Sequence, residues 1–193
     1  LISQMKAGAK PSFYYSCDQS FLDQVQDRFN IGTVATTNEI VMLVPKGNTK
    51  SIRSLDDLLV KSAKVGVAHP VKSALGKLTE ILLANSKLLK PLQDSGNIVV
   101  YASKGDELVT QMHAGSLDVA LLYRSNALAS PSILKYCEIV ALDHPEAIAS
   151  QPFASSLDTP YPNQLIRLGD FLTNAEGKKN FLKYGFTWEK APN

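Results

Sequence analysis

Short runs rich in β-branched and aromatic residues alternate along this chain with helical patterns of about ten to fifteen residues, which restricts the fold to βα units around mainly parallel sheets. The strand-like runs are Phe13–Tyr15, Ile40–Val44, Val65–Val67, Ile98–Tyr101, Val119–Leu122 and Ile139–Ala141. They lack a clean polar–apolar alternation, as strands buried on both faces do. The expected class is α/β.

Helix starts and stops fit between these runs. Ser54 stands three residues before Asp57 and leads into Leu55, Leu58 and Leu59, a spacing that predicts a capped amphipathic helix. Ser73 opens a second helix with Leu75, Leu78, Ile81 and Leu82 on one face. Asp106 to Ala114 places Leu108, Val109 and Met112 at helical spacing and stops at Gly115, a residue suited to a left-handed helix end. Leu165, Leu168 and Leu172 mark a further helix, and 174–185 reads as another.

Two breaks organise the chain. Pro45-Lys46-Gly47-Asn48 follows the most apolar strand and suits a crossover, and the stretch 125–131 is small, polar and proline-containing. Residues 46–124 hold complete βαβ repeats, whereas the flanking parts look incomplete alone. The expected division is therefore one discontinuous lobe of residues 1–45 and 125–193, and a second lobe of 46–124.

Composition excludes several function classes. With 193 residues, 45% hydrophobic and 20% charged, the chain can bury a core and is not a disordered tail. A net charge of +2, evenly spread, is too small for the basic face of a nucleic-acid binder. No apolar stretch approaches the roughly 18 residues of a membrane span. The first residues lack the layout of a secretory signal, so any export signal would lie upstream. Cys17 and Cys137 form no Cys-x-x-Cys and have no nearby histidine pair, so no metal site is expected. Two inert buried thiols is the preferred reading of them, with a disulfide left open.

No Gly-x-Ser-x-Gly, Gly-x-x-x-x-Gly-Lys-Ser/Thr or Gly-x-Gly-x-x-Gly occurs. His69, His113 and His144 are scattered and read as loop or cap residues rather than general bases. No catalytic residue, enzymatic activity or cofactor is expected.

The informative pattern is a buried strand running into a short loop and then a helix start. Helix N-termini offer free N–H groups and the positive end of the helix dipole, which together make a cradle for an anion. Three stretches have this form: Val67 to Gly76, Tyr101 to Asp106, and Leu122 to Asn126. For each alone, plain connection is the simpler reading. Together they fall at the carboxyl ends of strands, where open α/β sheets bind ligands. Lys46, Lys104 and Arg124 lie on or near these loops and could draw an anion in.

The stretch Asn38-Glu39-Ile40-Val41-Met42-Leu43-Val44-Pro45-Lys46-Gly47-Asn48 closely resembles the crossover strand of molybdate-binding periplasmic proteins. The likeness extends over nearly the whole chain. Gln4 to Ala9 and Ser16-Cys17-Asp18-Gln19 resemble the family's Ala-Gly-Ala turn and Ser-Ala-Asp stretch. Ala68-His69-Pro70 through Ser73-Ala74-Leu75-Gly76 stands where the family has Gly-Asp-Pro through Val-Pro-Ala-Gly. Tyr123-Arg124-Ser125-Asn126-Ala127 is similar to its Tyr-x-Ser/Thr-Asp-Ala, and Phe181 to Phe186 to its closing Tyr-Gly-Phe.

This resemblance implies a two-lobed type 2 periplasmic-binding fold with a hinge of crossover strands near 44–46 and 124–126. It implies an oxyanion such as molybdate or tungstate in the inter-lobe cleft, held by backbone N–H groups, serine hydroxyls and one tyrosine. Carried over by position, the ligand-binding residues are Ser73, the N–H of Leu75, the N–H of Gly105 and the hydroxyl of Tyr123. Leu1 falls after the place where the family has its first strand, first helix and first-lobe serine loops, so only the second-lobe half of the cradle is expected here. His69 for an acidic residue, Ser73-Ala74-Leu75 for Val-Pro-Ala, and Gly105 for a branched residue depart from the pattern and alter the expected lining.

The partners so implied are a small oxyanion and an ABC permease in the membrane. The place implied is the periplasm or cell exterior, with a lipid anchor possible, and the chain is expected to be a monomer. The alternative is a ligand-sensing domain of the same fold in a regulator or receptor.

Overall fold

The computed structural model describes residues 1–188. In chain order the elements are α1 (Ile2–Lys6), β1 (Phe13–Tyr15), α2 (Gln19–Asp23), β2 (Thr33–Pro45), α3 (Asp57–Val60), β3 (Val65–Ala68), α4 (Ala74–Asn85), α5 (Leu89–Asp94), β4 (Ile98–Ala102), α6 (Gly105–His113), β5 (Val119–Tyr123), α7 (Arg124–Ala129), β6 (Cys137–Ala141), β7 (Ile148–Ser155), α8 (Pro162–Thr173) and α9 (Ala175–Lys183). Short 3-10 turns precede β2, β6 and β7. The fold is α/β, as the alternation of strand and helix patterns requires.

The chain divides into two compact units, residues 1–38 with 149–193 and residues 39–148. Residues 39–45 and 125–148, read from the sequence as part of the first lobe, pack in the second unit. The reason is pairing. Ile40–Leu43 of β2 lie antiparallel to Ala120–Tyr123 of β5, and Val41–Pro45 lie antiparallel to β6. The small, polar stretch after Tyr123 is not a linker but α7.

In this larger unit the strand order is β6-β2-β5-β3-β4. β3 is parallel to both β4 and β5, whereas β2 is antiparallel to its neighbours. The sheet is mixed, not mainly parallel, because β2 runs against the direction that β3, β4, β5 and β6 share. Every residue of β3 and β5 is buried, as their continuous apolar runs imply. β4 alternates and exposes Val99 and Tyr101, which fits a strand at the sheet edge. Leu82 and Leu83 of α4, Leu92 of α5, Leu108 of α6 and Ile40–Val44 of β2 are all buried.

The Ser54 box forms as expected, with the carboxylate of Asp57 accepting from the N–H groups of Arg53 and Ser54 (2.9 and 3.0 Å) and from the Ser54 hydroxyl, but the helix that follows, α3, is only four residues long. The acid caps the turn before it. α4 follows Ser73 as expected, and α6 ends before Gly115, whose φ of 68° is the left-handed end the sequence predicts.

In the smaller unit β1 pairs antiparallel with β7, and β7 neighbours β2. Met5, Tyr14, Leu22, Val25, Phe29 and Ala154 form its core. β7 carries Pro152 and several small polar residues, so its sequence lacks the apolar run that marks the other strands. Asn174 caps α9 by accepting from the N–H groups of Glu176 and Gly177. Both cysteines are free thiols. Cys137 is buried, but Cys17 is exposed, against the expectation of two buried thiols.

Candidate functional site

Parallel pairing decides where the three loops go. Ala68 at the end of β3 pairs with Ala102 at the end of β4, and Gly66 pairs with Ala120 of β5. Continuing that register sets the end of β5, Leu122 and Tyr123, beside the end of β3. The turns after all three strands therefore lie at one edge of the larger unit's sheet. Ser73, Leu75, Gly105 and Tyr123 all belong to these turns, so the structure brings the four residues to the same edge.

The first turn is fixed by nearly every polar atom of His69. Its N–H donates to Ala102 O (2.7 Å), and its carbonyl accepts from the N–H groups of Lys72 and Ser73 (both 3.1 Å). Its Nδ1 accepts from Val71 N–H (3.1 Å), making His69 a turn-forming residue, as expected. Gly76 then presses onto this carbonyl: a Cβ there would stand 2.4 Å from His69 O. Ser73 is extended (φ −140°, ψ 138°) and spends no side-chain bond on capping α4. Its half-buried hydroxyl is thus left for another use. The Leu75 side chain is buried, which anchors the first turn of a twelve-residue helix and fixes the direction of its N–H.

The second turn is closed by Glu107. Its carboxylate accepts from Ser103 N–H (2.8 Å) and the Ser103 hydroxyl (2.5 Å). The hydroxyl bond first, then the N–H bond, with Lys104 and Lys72 adding attraction, holds the Glu107 carboxyl below its ordinary pKa. Gly105, buried, is the first residue of α6. The third turn has no loop: β5 ends at Tyr123 and α7 starts at Arg124. Tyr123 is 8% exposed.

Charges at this edge are largely matched by neighbours. Arg124 donates from Nε and Nη2 to Glu39 Oε2 (2.9 and 2.6 Å), so its cation is already committed. Asn126 Nδ2 donates to Asp106 Oδ1 (3.1 Å). Lys104 is exposed at the start of α6. Lys46 does not belong here. β2 runs antiparallel to β5, so the residue after Pro45 lies at the opposite edge, where Lys46 N–H donates to Tyr136 O (2.7 Å).

Sequence reasoning missed Glu39, Glu107 and Asn126. Ser103 and Glu107 are four apart, outside the capping-box spacing, and Glu39 meets Arg124 only through strand pairing across 85 positions. His113 ends α6 and packs edge-on to Tyr136 (5.2 Å between centroids), and His144 Nδ1 accepts from Glu146 N–H (3.2 Å). Among the described residues no group of three or more His, Cys, Asp or Glu side chains could hold a metal ion. Nor is any helix there long and apolar enough to cross a membrane.

What this edge can do chemically is hold an anion through neutral donors: helix-start N–H groups, a serine hydroxyl and a tyrosine. Comparisons with known proteins give the family and the fold. A family model described as "Bacterial extracellular solute-binding protein" matches residues 1–187. The "Putative ABC transporter substrate-binding lipoprotein YvgL" of Bacillus subtilis (strain 168) is 25% identical over 193 residues, covering 98% of this chain and 72% of the relative. The solved periplasmic molybdate-binding protein of Azotobacter vinelandii superposes with a TM-score of 0.74 at 12% identity, over 98% of this chain and 83% of that one. A solved periplasmic thiamin-binding protein superposes with a TM-score of 0.79 at 13% identity, over 100% and 70%. The two structures share the fold and name different ligands, so ligand identity has to be argued from the site.

Proposed function

Because the chain belongs to the bacterial extracellular solute-binding protein family, we propose that it is the solute-binding component of an ABC uptake system, and that its ligand is a tetrahedral oxyanion such as molybdate or tungstate. The observation that carries the reading is the convergence of three strand ends at one edge, with Arg124 already paired to Glu39. With the Arg124 cation paired, fixed dipoles on the turns are the groups that would hold the anion. Helix-start N–H groups around Leu75 and Gly105, the Ser73 hydroxyl and the Tyr123 hydroxyl are such dipoles, and they need no reorganisation on binding.

Neutral donors on rigid turns also supply selectivity. Sulfate and molybdate carry the same charge and differ mainly in radius. A ring of donors fitted to the larger ion leaves the smaller one short of contacts. Gly76 pressed on His69 O makes one turn rigid in the way such discrimination requires. In this reading the protein works outside the cytoplasm as a monomer, delivers its ion to a membrane permease, and carries out no covalent step.

Thermal unfolding with millimolar molybdate, tungstate, sulfate, phosphate and chloride tests this. A ligand that binds only the folded state stabilises it by about 2.7 kcal/mol at a hundred times its dissociation constant. A rise in midpoint with molybdate or tungstate, and none with sulfate, is expected. No rise with any of the ions overturns the oxyanion assignment.

A further inference from the structure

We infer that Asn126 is a positioning residue, which fills the space over Gly105 and thereby sets the spacing between the turn that offers the Gly105 N–H and the turn that offers Tyr123. The inference rests on the oxyanion reading for its consequence in binding, and on geometry alone for the interlock.

A Cβ built on Gly105 would stand 2.3 Å from Asn126 Oδ1, 2.6 Å from its Cγ and 2.9 Å from its Nδ2. The whole carboxamide therefore lies against the Gly105 α-carbon, and no side chain can stand at 105 while Asn126 keeps its place. The carboxamide is held from its other end by the bond from Nδ2 to Asp106 Oδ1 (3.1 Å). Its Oδ1 is buried and accepts no hydrogen bond among the described residues. A buried acceptor without a donor is costly, so a smaller or apolar residue would serve stability better. What the carboxamide supplies is its shape, filling the space over the Gly105 α-carbon.

The two residues sit on the two segments that matter. Gly105 begins α6, and Asn126 stands in α7, three residues after Tyr123. The contact thus couples the donor at the start of α6 to the donor at the end of β5, while Asn126 itself is not assigned to the ligand.

Four proteins decide the matter: the wild type, Gly105→Ala, Asn126→Ala and the double variant. Unfolding midpoints are read without ligand, and molybdate and sulfate affinities by calorimetry. Gly105→Ala should lower the midpoint by expelling the Asn126 carboxamide and should weaken molybdate binding. Adding Asn126→Ala should recover the midpoint, because the new methyl group enters the vacated space. Midpoint effects that simply add overturn the interlock. Asn126→Ala alone should change the ratio of molybdate to sulfate affinity by roughly fivefold or more, a coupling within the range seen for contacting residues. An unchanged ratio overturns the positioning role even if the interlock stands. If the wild type binds neither ion, the positioning role falls with the oxyanion reading, and the midpoint cycle still decides the interlock.

Discussion

Arg124 and Glu39 form a two-bond ion pair in which Nε and Nη2 of the arginine share a single carboxylate oxygen, at 2.9 and 2.6 Å. Both are partly shielded, with side chains 29% and 21% exposed. They meet because Ile40 of β2 pairs with Tyr123 of β5, so the residues next to that pair, Glu39 and Arg124, are set side by side. The pair converts the one arginine of the three turns from an anion attractor into a brace.

Glu39→Gln should therefore release the cation. Anion association should become faster and more salt-dependent in this variant, because a free guanidinium beside the site steers anions. Stability should fall by about 1 kcal/mol or less, since a partly exposed pair contributes little. Stopped-flow binding of molybdate at two ionic strengths, with a thermal melt of each protein, measures both effects. An unchanged salt dependence would mean that Arg124 faces no ligand.

Tyr123→Phe should weaken oxyanion binding by about 1–3 kcal/mol, the cost of leaving a buried ion one donor short. The fold should tolerate the change, because the ring itself is buried and stays. Calorimetric titration with molybdate reads it, and equal affinities for the two proteins would remove Tyr123 from the site.

Gly76→Ala should destabilise the folded protein by about 1–3 kcal/mol through overpacking. The added methyl group meets the His69 carbonyl, a backbone atom already accepting from Lys72 and Ser73, which cannot swing aside as a side chain would. Chemical denaturation measures the loss, and a neutral result would show that the first turn is looser than its bonding indicates.

Acid should destabilise the protein through Asp57, Glu107 and Asp118, all held below their ordinary pKa values. Hydrogen bonds do this at Asp57, first from Arg53 N–H, and at Glu107, first from Ser103. At Asp118 burial pushes the value up, but Lys64 N–H and Lys50 outweigh it. A depressed folded pKa stabilises above the unfolded value, near pH 4, and that stability is lost as pH falls through the folded value. Midpoints should be flat from about pH 7 to 5 and drop below about pH 4. Asp118→Asn should be less stable at neutral pH and lose less on acidification.

Thiol labelling should modify one cysteine in the native protein and two after unfolding. Cys17 is exposed by surface area although its sulfur is partly desolvated; that desolvation, and then the charge of Asp18, raise its pKa. Its reaction should accordingly be slow at neutral pH and quicken as pH rises. Cys137 is 3% exposed and should stay unreacted until the fold opens.

Local signals in the sequence settled most of the elements. Continuous apolar runs marked β3 and β5, leucines at helical spacing marked α4 and α8, and Gly115 marked the end of α6, because each depends on neighbours within a few residues. The turns that hold Ser73, Leu75, Gly105 and Tyr123 were also legible, since a strand followed by a helix start is a local pattern, whereas the ligand roles proposed for these four came from the family resemblance. β7 was not: with Pro152 and polar residues it becomes a strand only by pairing with β1.

Tertiary structure alone decided the direction of pairing, and with it the rest. The antiparallel course of β2 carried Lys46 to the far edge of the sheet and brought Glu39 to Arg124. The packing of α7 against the start of α6 set Asn126 on Gly105. Such contacts join residues far apart in the chain, and their energy comes from register and packing, which no local pattern encodes.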